Sequence, residues 1–107
     1  INTEEQTVTE IDLPQQGDGI DISELAKEIG CTYFECVRVG DDDIYIDDIG
    51  RYRTGEQGAF SITGYPEIII GNAIILSHDF NGESREPHAT VDQIRGDVEF
   101  RQLSISE

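Results

Sequence analysis

The 107-residue sequence contains no methionine and no tryptophan, two cysteines, three prolines and a single lysine, Lys27, among seven basic residues. Each scarcity excludes something. Two cysteines cannot frame the disulfide-stapled miniature folds of secreted proteins. No apolar run approaches the ~18 residues that a membrane-crossing helix needs, and the opening "INTEEQTVTE" is too polar for a secretory leader. The missing initiator methionine leads us to expect a short upstream piece before Ile1. Seven basic residues against 23 acidic ones leave a formal charge of −16. Such a chain cannot neutralise phosphates, so direct nucleic-acid binding is not expected, and anionic membranes would repel it. The length fits one domain, residues 1–107, with one core.

What the chain does contain is isoleucine and carboxylate. High net charge with low hydrophobicity would mean disorder, but sixteen isoleucines fall in strand-like runs. A dense carboxylate surface with almost no lysine fits a protein that works in concentrated salt. At 1 M salt the Debye length is about 3 Å, so self-repulsion that opposes folding in dilute buffer is screened. The expected source is a halophile, an archaeon or one of its mobile elements, with a cytoplasmic location.

The pattern along the chain predicts an α+β fold. It should have an antiparallel, meander-containing sheet of about five strands and one short helix, 21–29, packed on a face. Residues 1–6 are expected to fray. In "TVTEIDL" (7–13) alternation predicts a strand with Ile11 and Leu13 inward, followed by Pro14 and a "QQGDG" loop. Asp21 as N-cap with Glu24 three residues on matches a capping box. Ile22, Leu25, Ala26 and Ile29 then share a helical face, and Gly30 supplies the stop. "TYFECVRV" (32–39) reads as a strand and "DIYID" (43–47) as its antiparallel return, with Arg51 and Arg53 brought near Asp47. Segment 54–67 has few anchors. The apolar run 68–79 should hold a central strand over 73–78, with Gly71 at a bulge or tight turn. Asn81-Gly82 signals a hairpin. Thr90 with Gln93 predicts the cap of a C-terminal helix, which competes with a strand reading of "VEFRQLSI".

This order of elements resembles the family of small bacterial, phage and plasmid proteins catalogued as domain of unknown function 3846. The resemblance covers residues 7–85 through "TEIDLPQQGDGIDISELAKEIGC", "YFECVRVGDDDIYIDDIGRYR" and "IIIGNAIILSHDFNGE". Glu35, Asp47, Asp48, Gly50, Gly71 and Asn72 fall on the family's positions. "GEQGAFS" departs from the Asn-Pro-x-Ala-like element that the family carries after its acidic turn. The resemblance implies a layout of strands and helix, and no activity.

"GDDDIYIDDIG" (40–50) places five aspartates around Ile44-Tyr45-Ile46. Read as an EF-hand from Asp41, its fifth, sixth and twelfth positions are Tyr45, Ile46 and Tyr52, which cannot serve. A looser cation site among Asp42, Asp43 and Asp48 is weighed against hydrated turns, and the turns are preferred. Cys31 and Cys36 have a permitted zinc spacing with His78 and His88, but on one strand the two thiols point to opposite faces. Ser77-His78-Asp79 names the residue types of a triad, yet neighbours on a strand alternate faces. Glu35 would serve as an acid only if its face were buried. No metal, cofactor or catalytic residue is therefore expected. The stretch reads as a strand between two turns, with Ile44 and Ile46 inward and Tyr45 and Asp47 outward. The functional expectation is a non-enzymatic binding or regulatory module with a protein partner. Its candidate surface is Tyr45, Tyr52, Asp42, Asp43, Asp47 and Asp48. The alternatives are an acidic nucleic-acid mimic that inhibits a host enzyme and, more remotely, a small metal-dependent enzyme.

Overall fold

A computed structural model describes residues 1–17 and 19–106. Among these the order is β1 (Gln15–Gln16), β2 (Gly19–Ile20), α1 (Leu25–Ile29), β3 (Phe34–Val39), β4 (Asp42–Asp47), a 3₁₀ turn (Gly50–Tyr52), β5 (Gly55–Ile62), β6 (Ile69–Ile70), β7 (Ala73–His78), β8 (Ser84–Arg85), α2 (Val91–Asp97) and β9 (Val98–Ile105). The fold is α+β and every described strand pairing is antiparallel.

Two sheets form. One has four strands in the order β3-β4-β7-β8 and the other three in the order β6-β5-β9. Between them Ile44, Ile46 and Ala73 of the first sheet meet Phe60, Ile62 and Ile69 of the second. The opposite face of the larger sheet is covered by α1, whose Leu25 and Ile29 pack on Ile74 and Leu76. Alternation along β4 and β7 therefore feeds two cores, which is why "AIIL" (73–76) of β7 is apolar without a break. Gly71, with φ +96, carries the chain from β6 in one sheet to β7 in the other. The turn expected there changes sheets.

The helix is shorter than expected. Asp21 Oδ1 accepts the Ser23 N–H two residues on, and Leu25 N–H reaches back only to the Ile22 carbonyl. The aspartate closes a local turn in place of a helix cap, a competition that short polar side chains often win. Glu24 occupies the N-cap position without a side-chain bond. Gly30, left-handed at φ 87, ends the helix, and the Ala26 carbonyl receives both Gly30 and Cys31 N–H. At the other end of the chain both readings hold in succession. Thr90 and Gln93 form the reciprocal capping box of α2, and "VEFRQLSI" follows as β9, paired along all of β5.

The amino-terminal expectations fail. Residues 1–6 are tied down: Ile1 exchanges backbone bonds with Ala73, and Thr3 N–H and Oγ1 both donate to Asn72 Oδ1. Gly58 makes room for this lead, since a Cβ there would stand 2.7 Å from Thr3 Oγ1. Residues 8–14 form no strand; Val8 is buried and Ile11 exposed, the reverse of the alternation reading, whereas Leu13 does turn inward onto the core beneath α1. Among the described residues the segment has no ladder partner to enforce a two-residue period on it. The "QQGDG" loop is flanked by the small β1–β2 pair, and its Asp18 lies outside the described residues.

Candidate functional site

Strand β4 forms because Ile44 and Ile46 point into the core between the sheets, where they are 0% and 7% exposed. Tyr45, expected to face solvent, points to the α1 side and packs edge-on against Phe34 with ring centroids 5.5 Å apart. The aspartates correct the sequence reading further. Asp42, Asp43 and Asp47 are buried rather than hydrated, and each has found specific partners.

Asp42 Oδ1 and Oδ2 accept the backbone N–H groups of His88 and Ala89 at 2.7 and 3.0 Å. This carboxylate thereby anchors the loop that leads into α2. Asp43 meets His78 Nδ1 at 2.7 Å, with the Arg38 guanidinium 3.6 Å from its other oxygen. Arg38 also lies 3.4 Å from His78 Nε2. A guanidinium has no acceptor, so a hydrogen bond in this contact runs from Arg38 to Nε2. Asp47 accepts from Arg53 Nε at 2.7 Å and from Ile49 N–H at 3.1 Å. Arg53 thus takes the place expected of it, whereas the side chain of Arg51 lies outside the described part of the structure. Buried carboxylates are tolerated when hydrogen-bonded in this way.

Asp48 is half-buried, its N–H on the Tyr33 carbonyl, and Tyr52 is 72% exposed. The six candidate surface residues therefore do not form one surface. Tyr45 lies under the helix side, three aspartates are internal, and Asp48 and Tyr52 remain outside. Sequence reasoning missed what joins Tyr52 there. Tyr33 is 71% and Ile49 48% exposed. Tyr33 is tied to Asp48, and the Tyr52 N–H donates to Ile49 across the 3₁₀ turn. Tyr33 precedes β3 while Ile49 and Tyr52 follow β4, so all three positions lie beyond the open end of that ladder. The available signal was an aromatic or isoleucine just outside each end of the hairpin, where no strand partner can bury it.

The remaining chemistry disperses. Ser77 Oγ donates to the Asp41 carbonyl, His78 turns to Asp43, and Asp79 accepts from Asn81, Glu83 and Arg85. Cys31 and Cys36 carry free thiols. Burial pushes the Cys36 thiol up from its ordinary value, and the Asp43 carboxylate adds to this. Burial also raises Cys31, with Asp47 and Asp48 contributing. Thiols shifted this way stay protonated and are weak nucleophiles. Glu35 lines a hollow of about 30 Å³ beside Gly50 and Tyr65, room for roughly one water. Among the described residues no group of three or more His, Cys, Asp or Glu side chains is placed to hold a metal ion, and no helix is long and apolar enough to cross a membrane.

Compared with family models, curated proteins and solved structures, the chain matches none.

Proposed function

We propose that this chain is a small non-catalytic binding module that engages a protein partner in the cytoplasm of a salt-loving organism or its mobile element. The observation that carries the reading is that three exposed residues with large apolar side chains, Tyr33, Ile49 and Tyr52, all lie in the chain beyond the same end of the β3–β4 ladder. Tyrosine offers large apolar contact area with a polar tip, and aromatics are enriched in interfaces. The kinship with domain of unknown function 3846 belongs to the same proposal and suits a mobile-element setting.

The nucleic-acid mimic is the second reading, and the placement of acids weighs against it. Mimicry of a phosphate backbone asks for a carboxylate stripe, but three of the five aspartates in 40–50 are buried and internally bonded. Exposed acids occur instead on the lead (Glu4, Glu10), α1 (Glu28), β5 (Glu56), α2 (Asp92) and β9 (Glu99). That dispersion supports salt adaptation.

The test is capture of partners from a halophile lysate above 1 M KCl with wild type, Tyr33→Ala/Tyr52→Ala and Asp41→Asn/Asp48→Asn. The reading expects a protein whose capture drops with the tyrosine pair and survives the aspartate pair. A nucleic-acid enzyme lost only with the aspartate pair would transfer the assignment to mimicry.

A further inference from the structure

Strand β9 is an edge strand over all eight of its residues. It pairs with β5 on one side, and among the described residues no segment pairs with it on the other. One bond shows which backbone groups face that open side. Thr63 N–H donates to the Asp97 carbonyl at 3.0 Å, one step beyond the Ile62–Val98 pair of the same register. Backbone groups of alternate strand residues point the same way, so Glu99, Arg101, Leu103 and Ile105 turn theirs to β5. Those of Phe100, Gln102 and Ser104 point outward. Val98 adds only its carbonyl, because its N–H is bonded to the Ile94 carbonyl. Helix α2, which leads into β9, packs toward the larger sheet, where Ile94 lines one cleft with Leu76.

Proteins guard such edges with lysine, proline, a bulge or shortness. None of these is present in β9: its ladder with β5 is unbroken from Val98 to Ile105, and it contains neither lysine nor proline. Its side chains instead complement a copy of themselves. Glu99 and Arg101 are exposed on one face and cancel, leaving the strand neutral in a chain of charge −16. Val98 and Phe100 lie on the other face, half-buried against the core between the sheets.

From this we infer that β9 is the interface between two copies of this chain, paired antiparallel about a two-fold axis at Phe100. In that register the Phe100 residues of the two copies exchange two backbone bonds. Each Gln102 N–H donates to the Val98 carbonyl of the other copy. Glu99 stands opposite Arg101 of the other copy, and Arg101 opposite Glu99, so both cross-strand pairs join opposite charges. The contact of 3.6 Å between these two side chains within one chain is exposed and contributes little alone. The two Phe100 rings meet on the core face and cover each other's open side. The three-stranded sheets merge into one of six strands. A neutral strand gives a charged foreign peptide nothing to select, whereas the Glu-x-Arg spacing, centred on Phe100, matches its own reversed copy.

The test is sedimentation equilibrium of the full chain at submillimolar concentration in about 0.5 M KCl, where net repulsion between copies is largely screened. Wild type is expected to be a dimer. Glu99→Arg sets arginine against arginine, and Arg101→Glu sets glutamate against glutamate. Each alone should weaken self-association about tenfold or more. Mixed in equal amounts, the two variants regain both opposite-charge pairs and should form a heterodimer of near wild-type affinity. The substituted positions are exposed, so both variants should keep the circular dichroism of wild type. A monomeric wild type, single variants that dimerise as wild type does, or a mixture of folded variants that stays monomeric each overturns the inference. Tyr33 and Tyr52 take no part in β9, so Tyr33→Ala/Tyr52→Ala should dimerise unchanged, which keeps this interface separable from the tyrosine surface. A dimer lost in that variant would overturn the inference by giving the interface to the tyrosines.

Discussion

Asp42 shows what a buried carboxylate does in this chain. It accepts two main-chain N–H groups 46 and 47 residues away in sequence and so holds the entrance of α2 against β4. Replacing it by alanine leaves those donors without their acceptor, and the expected cost is about 1–3 kcal/mol per orphaned buried group. Urea unfolding in 2 M KCl should show a lower midpoint for Asp42→Ala, whereas Asp41→Ala, at an exposed turn position, should leave it within about 0.5 kcal/mol. Cys36 gives a second prediction at this scale. Its thiol is raised first by burial and then by Asp43, so the thiolate appears only at higher pH than in a free cysteine. Disulfide-exchange labelling at pH 8 should therefore run slower than for glutathione. Asp43→Asn should quicken it by removing a negative neighbour, and an unchanged rate would contradict the electrostatic part of this account.

At the scale of elements, α1 is a five-residue helix, too short to persist on propensity alone. It exists because Leu25, fully buried, and Ile29 sit on Ile74 and Leu76. Leu25→Ala should cost about 2–5 kcal/mol, and loss of the far-ultraviolet helix signal together with the tertiary transition would show that the helix depends on that face. This apolar face was legible in the sequence, as were the Thr90–Gln93 box, the 73–78 strand and the Asn81-Gly82 hairpin. In each, a local rule and the tertiary contact agree. The start of α1 was not legible, because Asp21 satisfies two local motifs and only the structure shows which one prevails. Strand β5 was hidden by Gly55 and Gly58, and the second glycine answers to Thr3, a contact 55 residues away along the chain. The buried state of Asp42 and Asp43 was hidden for the same reason, since their partners His88 and His78 are brought in by the fold. The Arg53 partner of Asp47, six residues on, was legible in the sequence, although the burial of Asp47 was not.

For the whole molecule the governing quantity is charge. A formal charge of −16 on 107 residues is spread over both sheets, both helices and the lead. The buried aspartates of β4 are internally partnered, so the repulsion that remains is between surface carboxylates, and it is this repulsion that salt relieves. Each kcal/mol of relieved repulsion should raise the melting temperature by about 4–8 °C in a domain of this size. The direct measurement is a series of thermal melts from 0.1 to 3 M KCl at pH 7. The account predicts a melting temperature that climbs steeply up to about 1 M and then levels as screening saturates. A melting temperature indifferent to salt would contradict it.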